Sequence, residues 1–413
     1  MKFEILDIDE YNMFLKKHPL NNFLQSPLMD TVSNMKRQQV YYVGIKQENN
    51  ILCATRLISI NARLGKKYFY SPRGLIIDYN NFELLKTFTK ELKKFIKSKG
   101  GFELIIDPNI LYKQRDINGD IVGNGFDNSS IINNLKKLGY NHLGFTRGND
   151  ISRQARWQFA IDIRNKTEEE IFCNFKSNTR NLISKAIKTN VKIEELNYDD
   201  LYKFKNITEE TSKRIGFSDK SLEYYQAMYN SFVPNKKAKF LLATLDLSEY
   251  LKEIEGNKEI LSNRLEKLEK SEEFVKKSKK DNLIEEINNL EKRINKTRQI
   301  IDNDGKNISL SAALFIMYGN EITYAFSGNV EKYMIFNGAY LMQWHMIKYA
   351  IENEFEKYNF SGISGVFDKN DSEYGVYEFK KGFNGVVEEY IGEFSLPITK
   401  YYYINKVIHK LKK

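Results

Sequence analysis

Residues 248–302 constrain the fold more than any other stretch, because a heptad seam runs through sequence that is otherwise charged or polar. Leu283, Ile287, Leu290, Ile294, Thr297 and Ile301 step by four and three residues, the spacing that keeps one narrow stripe of a helix against a partner helix. Leu247, Tyr250, Leu251, Ile254, Leu261, Leu265 and Leu268 carry the same spacing with one polar gap, and residues 271–282 ("SEEFVKKSKKDN") can turn the chain back between the two. The expectation is an antiparallel coiled-coil hairpin inserted into a larger body, with 151–247 and 303–398 read as the one domain it interrupts.

Outside the arm the pattern is α/β (α+β). Residues 39–47 ("QVYYVGIKQ"), 51–59 and 67–70 read as strands, and 82–98 carries apolar residues at helical spacing. The strand "FELIIDP" (102–108) ends in Asp107-Pro108, where proline stops the ladder and leaves the carboxylate at the strand's mouth. A second unit opens with "RWQFAIDI" (156–163), and Thr167 with Glu170 forms a capping box that starts a helix running to about Lys188. A hairpin over 309–319 and 321–328, a helix over 339–354 and a strand from 357 follow, and 374–398 reads as glycine-punctuated strand with Lys380 and Lys381 at a strand end. The domains expected are 1–150, then 151–247 with 303–398, then the arm at 248–302. The tail, 399–413, is expected to be a basic amphipathic helix. Docking through Ile404, Val407, Ile408 and Leu411 competes there with contact to an anionic membrane surface.

Charge narrows the partners. The chain carries a formal +10 over 413 residues, yet the arm holds thirteen acids and thirteen bases, so the whole excess lies in the body. That favours a polyanion such as RNA or a phosphorylated intermediate. Cys53 and Cys173 stand alone, as in a reducing cytoplasm. His18, His142, His345 and His409 lie in unrelated segments, so no metal spacing is found, and no G-x-S-x-G elbow or apolar run of membrane-spanning length occurs. The N-terminus has acids where a signal peptide needs basic and then apolar residues. A cytoplasmic protein without metal is expected.

Several strings in order carry a resemblance: "NNFLQSPLMD" (21–30), "YFYSPRGLIIDY" (68–79), "ELIIDPNI" (103–110) and "RQARWQFAIDI" (153–163), then "FKSNTRNLISKAIKTNVKIEE" (175–195), "TSKRIGF" (211–217), "YNFSGISG" (358–365) and "YEFKKGFNGVVEEYIGEFSLPI" (377–398). Together they resemble the FemABX family of non-ribosomal peptidyltransferases, which add amino acids from aminoacyl-tRNA to peptidoglycan precursors. The resemblance implies two GNAT-like acyltransferase domains with the coiled-coil arm, and a substrate cleft along them. It implies no cofactor. The R/Q-x-x-G-x-G/A loop that holds coenzyme A in acetyltransferases is missing, which fits another acyl donor. Family members using soluble UDP-linked precursors tend to carry Trp-x-x-x-Lys after the QS motif, where this chain reads Met29-Asp30-Thr31-Val32-Ser33. Lys36 or Arg37, a turn later, is the substitute expected, and the change leans toward a lipid-linked precursor such as lipid II. Peripheral contact with the inner face of the membrane and a homo- or hetero-oligomer with related transferases are further expectations.

Aminoacyl transfer needs a neutral amine, an activated ester and a group that meets the oxyanion, but no covalent nucleophile. By resemblance Lys380, beside Phe379, is the fixed ammonium at the donor end of the cleft, competing with a solvent-facing strand lysine. Asp107 matches the family's acid that holds the acceptor amine, competing with an Asp-Pro turn residue. Arg73, Arg214 and Lys220 suit phosphate or carboxylate contacts. Tyr324 and Phe326 are expected on the cleft floor. Lys176, Arg180, Lys185 and Lys188 on the 168–188 helix form a basic face for the tRNA backbone or a solvated face. The alternatives are an acyl-CoA N-acyltransferase on the same fold, marked by saturable coenzyme A affinity, and a tRNA or membrane adaptor, marked by binding without turnover.

Overall fold

The computed structural model describes residues 1–148, 153–216, 218–270 and 277–410. Its strands, in chain order, are β1 (Lys2–Ile5), β2 (Gln39–Gln47), β3 (Asn50–Asn61), β4 (Lys67–Ser71), β5 (Gly101–Ile106), β6 (Leu111–Gln114) and β7 (Asn141–His142). Then follow β8 (Trp157–Asp162), β9 (Lys192–Glu195), β10 (Ala238–Asp246), β11 (Asn307–Tyr318), β12 (Glu321–Asn329), β13 (Lys357–Ile363), β14 (Val386–Tyr390) and β15 (Phe394–Pro397). One sheet has the order β1-β2-β3-β4-β5-β15-β7 and the other β6-β14-β8-β13-β12-β11-β10-β9. Two strands therefore cross the segment boundary expected at residue 150: β6 joins the second sheet, and β15 closes the first.

Local signals hold where one face of an element is buried. The helix Phe82–Ser98 starts where Asn81 Oδ1 accepts from Leu84 N at 3.1 Å. It buries Leu84, Leu85, Phe88, Leu92 and Ile96 against the first sheet's core. The capping box is present in full, with Thr167 Oγ1 accepting from Glu170 N and Glu170 Oε2 accepting from Thr167 N.

The helix expected to run from 168 to 188 is two helices, Glu168–Asn174 and Ser177–Lys188. Phe175 turns extended between them and packs edge-on against Trp344 and Phe383, while Lys176 N donates to Gly382 O. Burying one aromatic ring outweighs one more helical turn. Residues Tyr374–Lys381 form a helix rather than the expected strand end. The signal is a three-residue spacing, since Tyr377 and Lys380 bury together while the flanking Val376 and Glu378 stay exposed. The strand begins only at Val386. The C-terminal helix Tyr401–Lys410 does not dock through its aliphatic face: Ile404 and Val407 are 55% and 57% exposed, and buried Tyr402 anchors it, its hydroxyl bonded to Ser395 and Asn141. Leu411 lies outside the described residues.

The arm consists of Leu247–Lys270 and Lys277–Asp304, helices running antiparallel, as the ion pairs Lys258–Glu291 at 3.1 Å and Arg298–Glu255 at 2.6 Å require. Residues 271–276 of the expected turn lie outside the described residues. The arm leaves from β10 and returns to β11, which are antiparallel neighbours, so it replaces a hairpin turn. Its root is welded to the body: Leu247, Tyr250, Ile254 and Ile294 belong to the main core, and the Tyr250 ring packs on Phe336. Beyond the root the seam is partly exposed. Excising residues 259–289 in favour of a short turn should therefore leave the body's urea midpoint unchanged. Ile254→Ala at the root should lower stability by about 2–5 kcal/mol. Equal losses from the two would show that the distal arm also supports the body.

Candidate active-site cleft

A cleft of about 1710 Å³ reaches residues of both sheets. Its geometry starts from the turn after β4. Gln25, fully buried, accepts from Arg56 N at 2.9 Å and donates to Pro72 O at 2.6 Å and Ser71 Oγ at 3.2 Å. Gly74 completes this clasp, since a Cβ there would fall 1.9 Å from Ser71 Oγ. The turn holds Arg73 in the left-handed region at φ 54°. From there its N–H donates to Asp107 Oδ1 at 2.8 Å, and its guanidinium donates to Ala155 O at 2.7 Å and lies 4.0 Å from the centre of the Tyr390 ring. The strand-mouth acid and the glycine-flanked arginine, expected in separate roles, are thus in direct contact.

Asp107 is 3% exposed, and Oδ2 has no well-aligned hydrogen-bond partner. Burial raises its pKa to about 7, against the pull of Arg73, and Glu393 adds to the rise. Lys380 shows the mirror case. It is 5% exposed, its Nζ donates to Gly362 O, and burial lowers its pKa to about 7. It lines the cleft, but it is not the permanently charged ammonium expected from its position, because no carboxylate compensates its desolvation. Phe379 beside it is half-buried, 4.8 Å from the Tyr340 ring.

The other expected cleft residues gather at the opposite wall and rim. Tyr324 stacks on Phe315 at 5.3 Å, with its pKa raised by burial to about 12, and Phe326 packs on Tyr224 and Tyr225. Lys36 stands 5.3 Å from the centre of the Tyr224 ring, and burial followed by the charge of Lys220 lowers its pKa. Arg214 lies 3.8 Å from Glu331. All of these line the cleft. The four expected RNA-facing cations do not form one face. Lys176 pairs with Glu378 at 2.9 Å, and Arg180 caps the preceding helix through Cys173 O and Phe175 O. Lys185 and Lys188 are exposed on the second helix and do not line the cleft.

Sequence reasoning passed over the polar floor. Lys357 Nζ bridges Glu321 at 2.8 Å and Glu388 at 2.9 Å, while Asn359 Nδ2 donates to Gln158 Oε1 and Glu321 Oε1. Desolvation opposes the Lys357 charge, and Glu321, Tyr390 and Glu388 overcome it, holding its pKa well above the ordinary value. Two adjacent acids inside a strand, Glu388 and Glu389 in "VVEEY", one for each face of the sheet, were the available signal. Among the described residues no three His, Cys, Asp or Glu side chains gather as a metal site.

The architecture is that of a known fold: the crystal structure of FemX superposes with a TM-score of 0.74 at 23% identity, covering 98% of this chain and 99% of that one. The FemAB family profile matches residues 6–412. The chain belongs to the FemAB family. It is 33% identical over 421 residues to aminoacyltransferase FemA of Staphylococcus epidermidis, covering 100% of both proteins. Against aminoacyltransferase FemA of Staphylococcus aureus it is 32% identical over 407 residues, 97% of this chain and 96% of the relative.

The amine of Lys380 yields a pH test. With a folded pKa near 7 against an ordinary 10.5, the folded state binds fewer protons than the unfolded state between those values, so stability rises with pH across that window. Relative to Lys380→Met, the wild type should gain stability in urea titrations between about pH 7 and about pH 10. Parallel profiles would mean that the amine is well solvated or paired.

Proposed function

We propose that this chain transfers the aminoacyl group of an aminoacyl-tRNA to an amine of a peptidoglycan precursor, extending its stem peptide or interpeptide bridge. The observation that carries the reading is the full-length likeness to the FemA aminoacyltransferases, combined with a cleft that has a buried amine on one wall and cations on its rim. Residues 1–150 and 151–398, less the arm at 248–302, are read as two GNAT-like halves that exchange β6 and β15.

The acceptor amine attacks the ester carbonyl, a C–N bond forms, the C–O bond to the tRNA ribose breaks, and the amine's proton leaves with the ribose hydroxyl or to water. The ester is already activated, so positioning and oxyanion stabilisation are the protein's contribution. In this reading Lys380 is the oxyanion stabiliser. An arriving anion raises the pKa of a nearby amine, so the group that is half-protonated near pH 7 becomes charged when the donor or the oxyanion is beside it. Phe379 and Tyr340 wall that end. Lys36, Arg214 and Lys220 meet the acceptor's diphosphate, and Tyr324 and Phe326 form the floor beneath it. For the tRNA, Lys185 and Lys188 are the available cations, with Lys176 once released from Glu378, whereas Arg180 serves its helix cap.

Incubating the purified protein with lipid-linked or UDP-linked precursor and a panel of charged tRNAs should give, by mass spectrometry, addition of one kind of amino acid. Lys380→Met should lower kcat about a hundredfold or more with the acceptor KM unchanged. Lys185→Gln with Lys188→Gln should raise the KM for tRNA alone. No mass increment with any charged tRNA would remove the reading, and saturable coenzyme A binding would favour an acyl-CoA donor.

Among the described residues no helix is long and apolar enough to cross a membrane. Access to a lipid-linked precursor is assigned to the C-terminal helix, where exposed Tyr403, Ile404 and Val407 lie among Lys400 and Lys406. Ile404→Asp with Val407→Asp should strongly reduce partitioning to anionic vesicles and leave transfer to a UDP-linked acceptor intact. Unchanged partitioning would exclude this helix as the contact.

A further inference from the structure

A small chamber opens off the cleft where the two sheets meet, lined by Arg73, Asp107, Arg153, Arg156, Tyr390 and Glu393. All but Asp107 also line the cleft. Its free space, about 20 Å³, exceeds the roughly 10–15 Å³ that one water-sized group requires. A carboxylate or an ammonium fits, but a side chain does not. Two deeply buried polar atoms lack a well-aligned partner here: Arg156 Nε, and Asp107 Oδ2, whose carboxyl the Tyr70 hydroxyl also approaches, on side chains 7% and 3% exposed. Gly392, at φ 91°, keeps the space beside Arg156 Nε open, since a Cβ there would lie in contact with it at 3.7 Å.

Charge decides between anion and cation. Three guanidiniums face two carboxylates, and Glu393 is paired with Arg153 at 2.8 Å. Arg156 is paired with Glu389, which Arg115 shares at 2.7 Å. Asp107 is the group whose charge burial suppresses, and Tyr70, Tyr79, Arg73 and Glu393 are the titratable or charged groups that face it. With Asp107 protonated, the chamber offers an O–H donor and an N–H donor beside excess positive charge. An ammonium would meet repulsion from the guanidiniums, whereas a carboxylate could accept from both orphaned positions.

We propose that this chamber binds the C-terminal carboxylate of a peptide-bearing acceptor, an assignment that rests on reading the acceptor as a peptide. Asp107 then holds the acceptor by its acid end, not by its amine as the family likeness implies. The carboxylate would sit near the reacting end. Gly362, which accepts from Lys380, is paired across the ladder with Gln158, two residues from Arg156. Strand spacing puts those backbones on the order of 10 Å apart, about three extended residues. Binding the chain end in this way would fix which amine of the peptide reaches the ester.

The test is equilibrium binding by calorimetry, independent of turnover, of a UDP-linked peptide precursor ending in a free carboxylate and of the same precursor ending in a carboxamide. The wild type should bind the acid at least about tenfold more tightly, as expected for charge-assisted hydrogen bonds. Arg153→Gln, at a side chain 38% exposed, should keep the fold and narrow that ratio to within about threefold. Affinity for the acid should fall as pH rises through about 7, where Asp107 ionises, and Asp107→Asn should make it independent of pH over that range. Equal affinities for acid and amide, an unchanged ratio in Arg153→Gln, no measurable binding of either precursor, or an affinity that rises with pH and is lost in Asp107→Asn would each overturn the assignment. A preserved acid preference in a protein that transfers nothing from charged tRNA would instead remove the proposed reaction and leave the chamber's assignment standing.

Discussion

The chain crosses between the two sheets through short connections, and the charged side of the cleft is organised around the one from β14 to β15. β14 lies in the second sheet between β6 and β8, and after three residues β15 lies in the first sheet between β5 and β7. The connection is pinned on both sides: Tyr390 N donates to Arg156 O, Ile391 N to Ile110 O and Leu143 N to Glu393 O, while a ring nitrogen of His142 bonds Ile391 O. A largely buried backbone segment held from both sides in this way cannot shift without breaking several hydrogen bonds at once. Tyr390, Glu393, Arg156 and Asp107 therefore hold fixed positions relative to both halves, and the stack of Arg73 on Tyr390 joins the β4 turn to the same frame.

Around that frame the electrostatics divide by burial. Most of the buried charges are paired, with Lys357 between Glu321 and Glu388, and Glu389 between Arg115 and Arg156. Buried ion pairs of this kind add little net stability but are costly to break, so they define shape. Asp107 and Lys380 are the exceptions, each desolvated without full compensation, and burial moves both toward titration at about pH 7. Groups tuned in this way respond to whatever charge a ligand brings. The rim cations Lys36, Arg214 and Lys220 remain accessible and suit a bulky anion.

The arm stands apart from this arrangement. It is charge-neutral, replaces a hairpin turn between β10 and β11, and touches the core only at its root. Its sequence had to satisfy just one seam, which is why its period is so easily read. The body's strands satisfy two faces and two neighbours, so their pattern is less regular.

What the sequence determined by itself is whatever depends on residues within a few turns of one another. The heptad steps of 283–301, the capping box at Thr167 and Glu170, the 82–98 helix and the strands from Gln39 to Ser71 all follow from local periodicity and local hydrogen bonding, and the ordered motifs from Gln25 to Lys380 carried the family. What only the tertiary structure decided rests on contacts distant along the chain. Phe175 breaks a helix because Trp344 and Phe383 offer its ring a pocket. Lys380 sits on a helix and loses its permanent charge because Gly362 and the surrounding core exclude water from it. Asp107 meets Arg73 because β4 and β5 lie side by side in the first sheet. Desolvation depends on the number of atoms packed around a group, and that number is set by chain crossings that no local pattern encodes.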